Sequence, residues 1–425
     1  MTEQVRSLKT GIKYKDTPIG KIPVDWEVVR LEDVSEINMG QSPPSEDCSE
    51  EAKGLPFYQG NAQFGSKYPS PKKWCEKPKK IANQGDILIS VRAPVGEINI
   101  APHKCCIGRG LAAITAKGVN PDYLYHSLFI HRKALQKIAQ GSTFEAINSK
   151  ELSDLSIFSP PFSEQKQVAE ILTTVDEAIE KTAQVIETTK EVKKGLMQKL
   201  LTRGIGHKKF KKTEIGEIPE EWSLLTLEEI VPKARGSIKR GPFGGAIKKE
   251  FFVPEGYKVY EQRNVIYNDF ELGDYYIDED KFEELKDFQI SQDDLLISCS
   301  GTIGRIVLVP GNVKKGIINQ ALLRITLDEE KMMPEFFKHF FETDSMQKKV
   351  ISHTHGSAMK NIVSMTELKK IQFVVPSIEE QNKIVELING VDSKVEDEQA
   401  YKSDLEELKK GLMQVLLTGK IRVRI

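Results

Sequence analysis

KKGLMQKLLT at residues 193–202 returns as KKGLMQVLLT at residues 409–418, and nine of the ten positions are identical. A second pair of segments agrees with the first: TPIGKIPVDW at 17–26 and TEIGEIPEEW at 213–222. The offset between the copies grows from 196 residues at the earlier pair to 216 at the later one, so the second copy carries insertions. The chain is therefore one module written twice, and this repeat determines the architecture that we expect.

The composition excludes several classes of protein. With 425 residues, 39% of them hydrophobic and 29% charged, the chain is predicted to be a soluble globular protein of several domains. It has no apolar run long enough to span a membrane and a polar N-terminal stretch, so we expect neither a membrane helix nor a signal peptide. Five cysteines without a C-x-x-C pair disfavour a disulfide framework and a zinc site, and they favour the reducing cytoplasm.

Each module is predicted to have a mixed front part and a helical end. Short apolar stretches such as DILIS at 86–90 predict strands, and PDYLYHSLFIHRKAL at 121–135 predicts a helix that starts at a proline. The predicted boundaries are 1–160 and 213–377 for two globular domains, 163–203 and 379–419 for two long helices, 204–212 for a linker and 420–425 for a C-terminal tail.

Apolar residues recur in steps of three and four along both long segments, which indicates a coiled-coil seam of about four heptads. At ~1.5 Å per residue each helix would be roughly 60 Å long, more than the diameter of roughly 35 Å of a compact domain. A core helix folded back on its own domain is the alternative. The predicted seam consists of Val168, Ile171, Val175, Val185, Val192, Leu196, Ile384, Leu387, Val391, Tyr401, Leu405, Leu408 and Leu412.

These patterns predict a mixed α/β (α+β) protein with a pseudo-two-fold internal repeat. Two similar globular domains would be joined and separated by one long two-helix antiparallel coiled coil. The middle of the module diverges between the copies, for example 42–80 against 237–283. A shared scaffold with divergent loops is what two readers of different targets require.

Four motifs carry a resemblance to a known family: T-x-I-G-x-I-P-x-x-W at the start of each module, PPFSEQ at 160–165, GPFGGAIK at 241–248 and KKGLMQ-x-LLT at each helix end. They resemble the specificity (S) subunits of Type I restriction–modification systems, and the resemblance covers nearly the whole chain. It implies a DNA-binding subunit with no catalysis and no cofactor of its own, whose two target-recognition domains each read one half of a split DNA sequence.

The resemblance also implies partners. They are double-stranded DNA and adenine-methyltransferase (M) subunits, of which we expect two, while restriction (R) subunits are left open. S-adenosylmethionine, ATP and Mg²⁺ are expected on those partner subunits. With the two domains in successive major grooves, half-sites would lie about one helical turn, ~34 Å, apart.

Loop-like stretches of both modules carry basic and amide side chains beside glycines and aromatic rings. Lysine and arginine can neutralise phosphates, and arginine, asparagine and glutamine can read base edges. A solvated surface is the alternative for any single lysine. The candidate DNA-binding residues are Gln59, Asn61, Lys72, Lys73, Lys79, Lys80, Arg92, Arg109, Arg235, Lys239, Arg240, Lys248, Lys249, Arg263, Asn264, Lys314 and Lys315.

Other interpretations of single motifs stay open. GPFGGAIK is either a flexible turn or a DNA-facing loop, and the Gly-Ser pairs at 141–142 and 356–357 allow the same two interpretations. SPPF at 159–162 fits the [DNS]-P-P-[FYW] pattern of amino-methyltransferases, which makes a DNA adenine methyltransferase the enzymatic alternative. That alternative is disfavoured because no glycine-rich cofactor turn precedes the motif. A protein-interaction scaffold is a third possibility, and no residues have metal-ligand spacing.

Overall fold

The computed structural model describes residues 12–140, 145–234, 236–353 and 360–423. The chain divides into two compact units, the first formed by residues 1–184 together with 398–425 and the second by residues 185–397. Each unit contains one mixed α/β domain and parts of both long helices. Among the described residues no helix is long and apolar enough to cross a membrane.

The strands of the first unit are β1 Tyr14–Thr17, β2 Gly20–Pro23, β3 Glu27–Arg30, β4 Ser35–Met39, β5 Cys48–Ser49, β6 Leu55–Tyr58, β7 Lys73–Cys75, β8 Ile81–Ala82, β9 Ile87–Ser90, β10 Ile98–Ile100, β11 Cys105–Ile107, β12 Leu111–Ala116 and β13 Ser156–Ser159; its helices are α1 Pro121–Gln140, α2 Ser149–Ser153 and the start of α3 Phe162–Arg203. The unit pairs a four-stranded antiparallel sheet, in the order β10-β9-β12-β4, with a five-stranded sheet, in the order β5-β7-β6-β11-β8. Within the five-stranded sheet, β6 and β11 run parallel.

The strands of the second unit are β14 Phe210–Thr213, β15 Gly216–Pro219, β16 Ser223–Thr226, β17 Ile238–Arg240, β18 Tyr257–Tyr260, β19 Tyr276–Ile277, β20 Leu295–Ser298, β21 Ile306–Leu308, β22 Gly316–Ile318, β23 Leu322–Ile325, β24 Ile351–His353, β25 Lys360–Ile362 and β26 Gln372–Val375; its helices are α4 Gln262–Ile266, α5 Glu279–Glu284, α6 Pro334–Phe341, α7 Asp344–Val350, α8 Met365–Lys369 and the start of α9 Ile378–Leu416. This unit repeats the plan of the first, because its four-stranded sheet has the order β17-β23-β20-β21 and its three-stranded sheet the order β19-β18-β22, with β18 parallel to β22.

The long helices α3 and α9 pair in antiparallel fashion in both units. In the first unit Lys409 of α9 forms an ion pair with Asp176 of α3, at 2.6 Å. In the second unit Lys193 of α3 forms one with Asp392 of α9, at 2.7 Å. The two lysines are 216 positions apart in the chain, and so are the two aspartates. The internal repeat therefore preserves this ion pair in both units. The predicted fold class, two similar mixed domains with a long antiparallel helix pair, is confirmed.

Seven of the predicted seam residues do lie on the buried or half-buried face of the helix pair: Val168, Val175, Leu196, Ile384, Val391, Leu405 and Leu412. The other six are exposed by 36–57%, which corrects the prediction: Ile171, Val185, Val192, Leu387, Tyr401 and Leu408. The structure buries the next residue instead, for example Leu172 and Ile186. The polar residues Thr182 and Lys193 also lie on this buried or half-buried face. A search for apolar residues alone therefore favours the neighbouring row of exposed apolar residues.

The two signature segments end by burying their paired leucines in a domain core. Leu200 and Leu201, at the end of α3, belong to the core of the second unit. Leu416 and Leu417, at the end of α9, belong to the core of the first unit. A fully buried leucine contributes roughly 1.5–3 kcal/mol. The two signature segments are therefore nearly identical because each packs its paired leucines into the core of one unit.

A tryptophan–carboxylate hydrogen bond ties each domain opening to the start of a long helix. The indole N–H of Trp26 donates to Glu164 at 2.9 Å, and that of Trp222 donates to Glu380 at 2.9 Å. Arg422 from the C-terminal tail completes the first of these arrangements, because it donates to both Glu164 oxygens at 2.6 and 2.7 Å.

The tail also reaches Tyr14, whose hydroxyl donates to the carbonyl of Gly419 at 3.2 Å. In the second unit the corresponding place is taken by His207, whose Nε2 lies 2.9 Å from Glu380. The tail of the first unit and the connector of the second therefore meet equivalent carboxylates.

Candidate nucleic-acid interface

In the first unit, the carboxyl ends of the parallel strands β6 and β11 meet and place Gln59 beside Arg109. The amide of Gly108 donates to the carbonyl of Tyr58 at 2.8 Å, which fixes the two strand ends side by side. Ser42 lies between the following loops, because its hydroxyl is 2.9 Å from the Gln59 amide nitrogen and accepts from the Arg109 backbone N–H at 3.2 Å. An amide and a guanidinium thus share one exposed edge.

Strand register brings four lysines to this same edge. Phe57 of β6 pairs with Lys73 of β7, so Lys72 and Lys73 lie level with the end of β6. The Ile107 amide donates to the Lys80 carbonyl at 3.0 Å, so Lys79 and Lys80 lie level with the end of β11.

Arg92 joins them from the other sheet, because the Val91 amide donates to the carbonyl of the residue that follows Arg109. We call the set Gln59, Asn61, Lys72, Lys73, Lys79, Lys80, Arg92 and Arg109 the basic edge.

The six cations of the basic edge are exposed, and none has an ion-pair partner within 4.0 Å among the residues that the structure describes. The loops approach each other closely beneath them. A Cβ on Gly40 would lie 2.2 Å from the Gly108 carbonyl oxygen, so this position excludes any side chain. Unpaired cations on closely packed loops can accept phosphate without first breaking an internal salt bridge.

The second unit divides its candidates between opposite strand ends. Arg240 is the last residue of β17 and Arg263 comes shortly after the end of β18, which belongs to the other sheet. Lys314 and Lys315 come just before β22, whose start lies beside the start of the parallel strand β18. Arg263 is paired with Glu261 at 2.6 Å. The structure therefore does not bring the basic residues of this unit together as it does in the first.

Two of the other three candidate lysines of the second unit already have partners. Lys239 forms an ion pair with Asp287 at 2.9 Å, and Lys248 forms one with Glu250 at 3.5 Å, whereas Lys249 is exposed. Arg235 lies outside the described residues.

Aromatic rings flank several of these cations. Lys315 lies 5.1 Å from the ring centre of Tyr257, and Arg240 lies 5.0 Å from that of the exposed Phe243. Tyr276 and a carboxylate raise the pKa of the exposed Lys314, so its charge is secure at neutral pH. By contrast, burial lowers the pKa of Lys258, which donates to the Glu271 carbonyl at 2.8 Å.

Asn264 is not available for base reading, which corrects its place among the candidates. Its side chain is fully buried, accepts from the Glu261 N–H at 2.8 Å and donates to two loop carbonyls. The counterpart of Gln59 in the second unit is an acidic residue. Tyr58 and Tyr260 accept equivalent backbone hydrogen bonds, so the residue after Tyr260, Glu261, corresponds to Gln59.

The start of GPFGGAIK is a close-packed turn rather than a flexible one. A Cβ on Gly241 would lie 1.8 Å from the carbonyl oxygen of Asn319, so only glycine fits there. Phe243 next to it is exposed, which leaves the tip of the loop accessible. The Gly-Ser pairs at 141–142 and 356–357 lie outside the described residues.

The prolines of SPPF act in the junction between β13 and α3. The side chain of Gln165 donates to the carbonyl of Pro160 at 2.9 Å, and that of Gln381 donates to Pro376 at 3.0 Å in the second unit. The same arrangement thus occurs where no SPPF motif exists, which favours a structural role. Among the described residues no group of His, Cys, Asp or Glu could hold a metal ion.

Sequence reasoning missed Ser42, Glu261 and Gln320, whose carbonyl accepts from Arg240 at 3.5 Å. Each follows a strand whose partner lies far away in the chain. Ser42 is the first residue of the diverging stretch 42–80, and that position is the only sequence signal for it.

The model of the family described as "Type I restriction modification DNA specificity domain" matches residues 23–190 and 219–407 of this chain. The MjaVIII specificity subunit of Methanocaldococcus jannaschii is 28% identical over 418 residues, which cover 95% of each protein. The MjaX specificity subunit of the same organism is 44% identical over 193 residues, 44% of this chain and 45% of that protein.

Two solved structures share the fold. The S subunit of a Type I restriction–modification system from M. genitalium has a TM-score of 0.54 at 17% identity, with 92% of this chain and 96% of that one covered. A chain from a study of complex assembly and conformational transition in a type I system has a TM-score of 0.58 at 15% identity, with 94% and 99% covered.

Proposed function

The chain belongs to the family of type I restriction–modification DNA specificity subunits, and we propose from this premise that it reads a split DNA target and docks methyltransferase subunits. As a specificity subunit it carries no catalysis of its own. S-adenosylmethionine, ATP and Mg²⁺ would be bound by partner subunits, in the cytoplasm. Restriction subunits would join through the same assembly.

The basic edge of the first unit is the observation that carries the DNA-reading proposal. Six exposed cations, none with an ion-pair partner in the described part of the chain, lie with Gln59 at the ends of strands from two sheets. Lysines would hold phosphates, while Gln59 and Arg109 have the side chains that read base edges through paired hydrogen bonds. In the second unit we propose Arg240, Arg263 and the exposed Phe243 loop as the corresponding surface.

The exposed stripe of the long helices supports the docking proposal. Ile171, Val185 and Val192 on α3 and Leu387, Tyr401 and Leu408 on α9 are large apolar residues exposed by 36–57%. The first three correspond to the last three at an offset of 216, so each copy presents the same stripe. Apolar residues at heptad spacing suit a partner helix. Because the stripe occurs in duplicate, it predicts two methyltransferase subunits.

DNA reading is tested by fluorescence anisotropy with the methyltransferase partner and labelled duplexes, after methylome mapping has given the target. Lys79→Gln should weaken binding to all sequences alike and reduce the slope of log affinity against log salt by about 1. Gln59→Leu should instead relax one position of one half-site. Lys315→Gln, which removes a cation just before β22 and away from the surface proposed for the second unit, is the matched control and should change neither the affinity nor the salt slope.

A domain exchange separates the two readers. Replacement of residues 42–160 by those of another family member should change one half-site and leave the other as it was. Simultaneous loss of both specificities would contradict independent readers. Binding of protein partners with no dependence on DNA sequence would favour the scaffold alternative.

Docking is tested by titration calorimetry with the methyltransferase subunit. Burial of the exposed half of one such side chain contributes about 1 kcal/mol, and a buried carboxylate adds a desolvation cost. Val192→Asp should therefore weaken binding by at least about tenfold. Gln198→Asp, at an exposed polar position of the same helix, is the control. Equal affinities for the two variants would place the docking surface elsewhere.

A further inference from the structure

Three cysteines of the first unit lie on one face of the five-stranded sheet. Cys48, Cys75 and Cys106 come from β5, β7 and β11 and pack together around Phe57. Cys105 belongs to the apolar cluster on the other face, because neighbouring side chains along a strand point in opposite directions. All five cysteines are free thiols.

Cys48 and Cys75 face each other directly across two neighbouring antiparallel strands. The Glu76 N–H donates to the carbonyl of Asp47 at 3.0 Å, so the adjacent rung is the hydrogen-bonded one. Cys48 and Cys75 therefore occupy a non-hydrogen-bonded rung, where Cα atoms are about 4.5 Å apart and side chains approach most closely. A disulfide requires Cα atoms roughly 4.4–6.8 Å apart. The backbone already meets this requirement.

Cys106 is less suited to be the partner of Cys75. Strand β6 lies between β7 and β11, so the two Cα atoms are about two strand spacings, roughly 10 Å, apart. That exceeds the limit of about 7 Å for a disulfide without backbone movement. The second unit has Cys299 alone, so it has no equivalent pair.

The two thiols differ in accessibility. Cys48 is half-buried and open to a small reagent, whereas Cys75 is fully buried behind it. Burial, together with the neighbouring Cys75 thiol, raises the pKa of Cys48 to about 11. Because the thiolate is the nucleophile, the rate of attack by Cys48 should rise about tenfold for each unit by which the pH is raised, as long as the pH stays below that value.

We propose that Cys48 and Cys75 are a thiol pair that closes to a disulfide in exchange with a low-molecular-weight disulfide. The Cys48 thiolate attacks one sulfur of the reagent and releases one thiol equivalent. Cys75 then attacks the mixed disulfide at the Cys48 sulfur and releases the second. The protein loses two thiol protons and two electrons, and the reagent disulfide is reduced to two thiols, which take up both protons.

The disulfide would tie the outer strand β5 to β7, the strand that carries Lys73 of the basic edge. Oxidation should then alter reading of the half-site recognised by the first unit and leave that of the second unit unchanged. This consequence rests on the proposed function, whereas the chemical step does not.

The chemical step is tested on the full chain with oxidised glutathione at pH 7 and pH 9. Thiol titration of the unfolded protein should fall from five to three, and mass mapping of a non-reduced digest should find Cys48 joined to Cys75. Cys106→Ala should keep the cross-link, and Cys48→Ser should abolish it. Five remaining thiols, a stable glutathione adduct on Cys48, or a Cys75–Cys106 linkage would each overturn the proposal.

Anisotropy then compares the reduced and oxidised protein on duplexes altered in one half-site at a time. A change confined to one half-site supports the link to DNA reading, and equal binding overturns that link. Absence of sequence-specific binding by the reduced protein would count against the proposed function, while the mass mapping would still decide the disulfide independently.

Discussion

Arg422 should be worth several kilocalories per mole to the first unit, although it lies near the C-terminal end of the described chain. Its guanidinium donates to both oxygens of Glu164 at 2.6 and 2.7 Å and to both oxygens of Asp25 at 2.9 and 2.7 Å. Glu164 is only 1% exposed, and the Trp26 N–H is its other donor among the described residues. Arg422→Met therefore leaves a buried carboxylate with one hydrogen bond.

The expected cost follows from this burial. Removal of one partner of a buried ion pair costs about 3–5 kcal/mol, whereas an exposed pair such as that with Asp25 contributes about 0–1 kcal/mol. Arg422 is 24% exposed, so water can partly replace it, and we expect about 3 kcal/mol. The pKa of Arg422 is raised first by its hydrogen bond to Glu164, which agrees with a strong interaction.

A double-mutant cycle measures the interaction. Glu164→Gln keeps an acceptor for Trp26 but removes the charge, so Arg422→Met should cost about 2 kcal/mol less in the Glu164→Gln background. Urea unfolding gives the free energies, and hydrogen exchange of residues 413–423 reports the release of the tail. Lys420→Met, an exposed position of the same tail, is the control. Additive effects within about 0.5 kcal/mol would refute the reasoning.

Three further predictions concern stability. Burial lowers the pKa of His126 from 6.5 to about 3, so between these values the unfolded state binds a proton that the folded state does not. The contribution of neutral His126 to the free energy of unfolding is therefore complete above pH 6.5 and is lost as the pH falls toward 3. Urea titrations should show a loss of stability between pH 7 and pH 5 that is about 2 kcal/mol smaller in His126→Gln, while the remaining loss comes from His131 and His339, whose pKa values burial also lowers. Gly241→Ala should cost about 2 kcal/mol or more in the same assay, because the methyl group would meet the Asn319 carbonyl. Lys193→Met should cost up to about 1 kcal/mol by leaving Asp392 half-buried without its cation, and substitution of an exposed lysine on the same helix should not.

The repeat, the long helices and their antiparallel pairing could be predicted because they leave periodic signals in the sequence. The inner face of the pair could be predicted only in part. Thr182 and Lys193 occupy it, since a threonine can return a hydrogen bond to its own helix and a lysine can pair with Asp392. A pattern built on apolar residues alone then favours the adjacent stripe, in which Val185 and Val192 are exposed.

The basic edge shows a different limit. Its members were predicted one by one between residues 59 and 109, and their shared position depends on the parallel pairing of β6 with β11. Such pairing joins segments about 50 residues apart and leaves no local pattern. Asn264 failed as a candidate for the opposite reason, because a short-range cap buries a side chain whose type suits base reading.

The discontinuous make-up of the first unit bears on synthesis by the ribosome. Its core contains Leu416 and Leu417, so the N-terminal domain emerges first yet waits for the last described segment before its interior is complete. The second unit is continuous from 185 to 397 and has all its parts earlier. The half of the protein that is translated first should therefore be the last to mature, and until then its incomplete core leaves apolar surface open to aggregation.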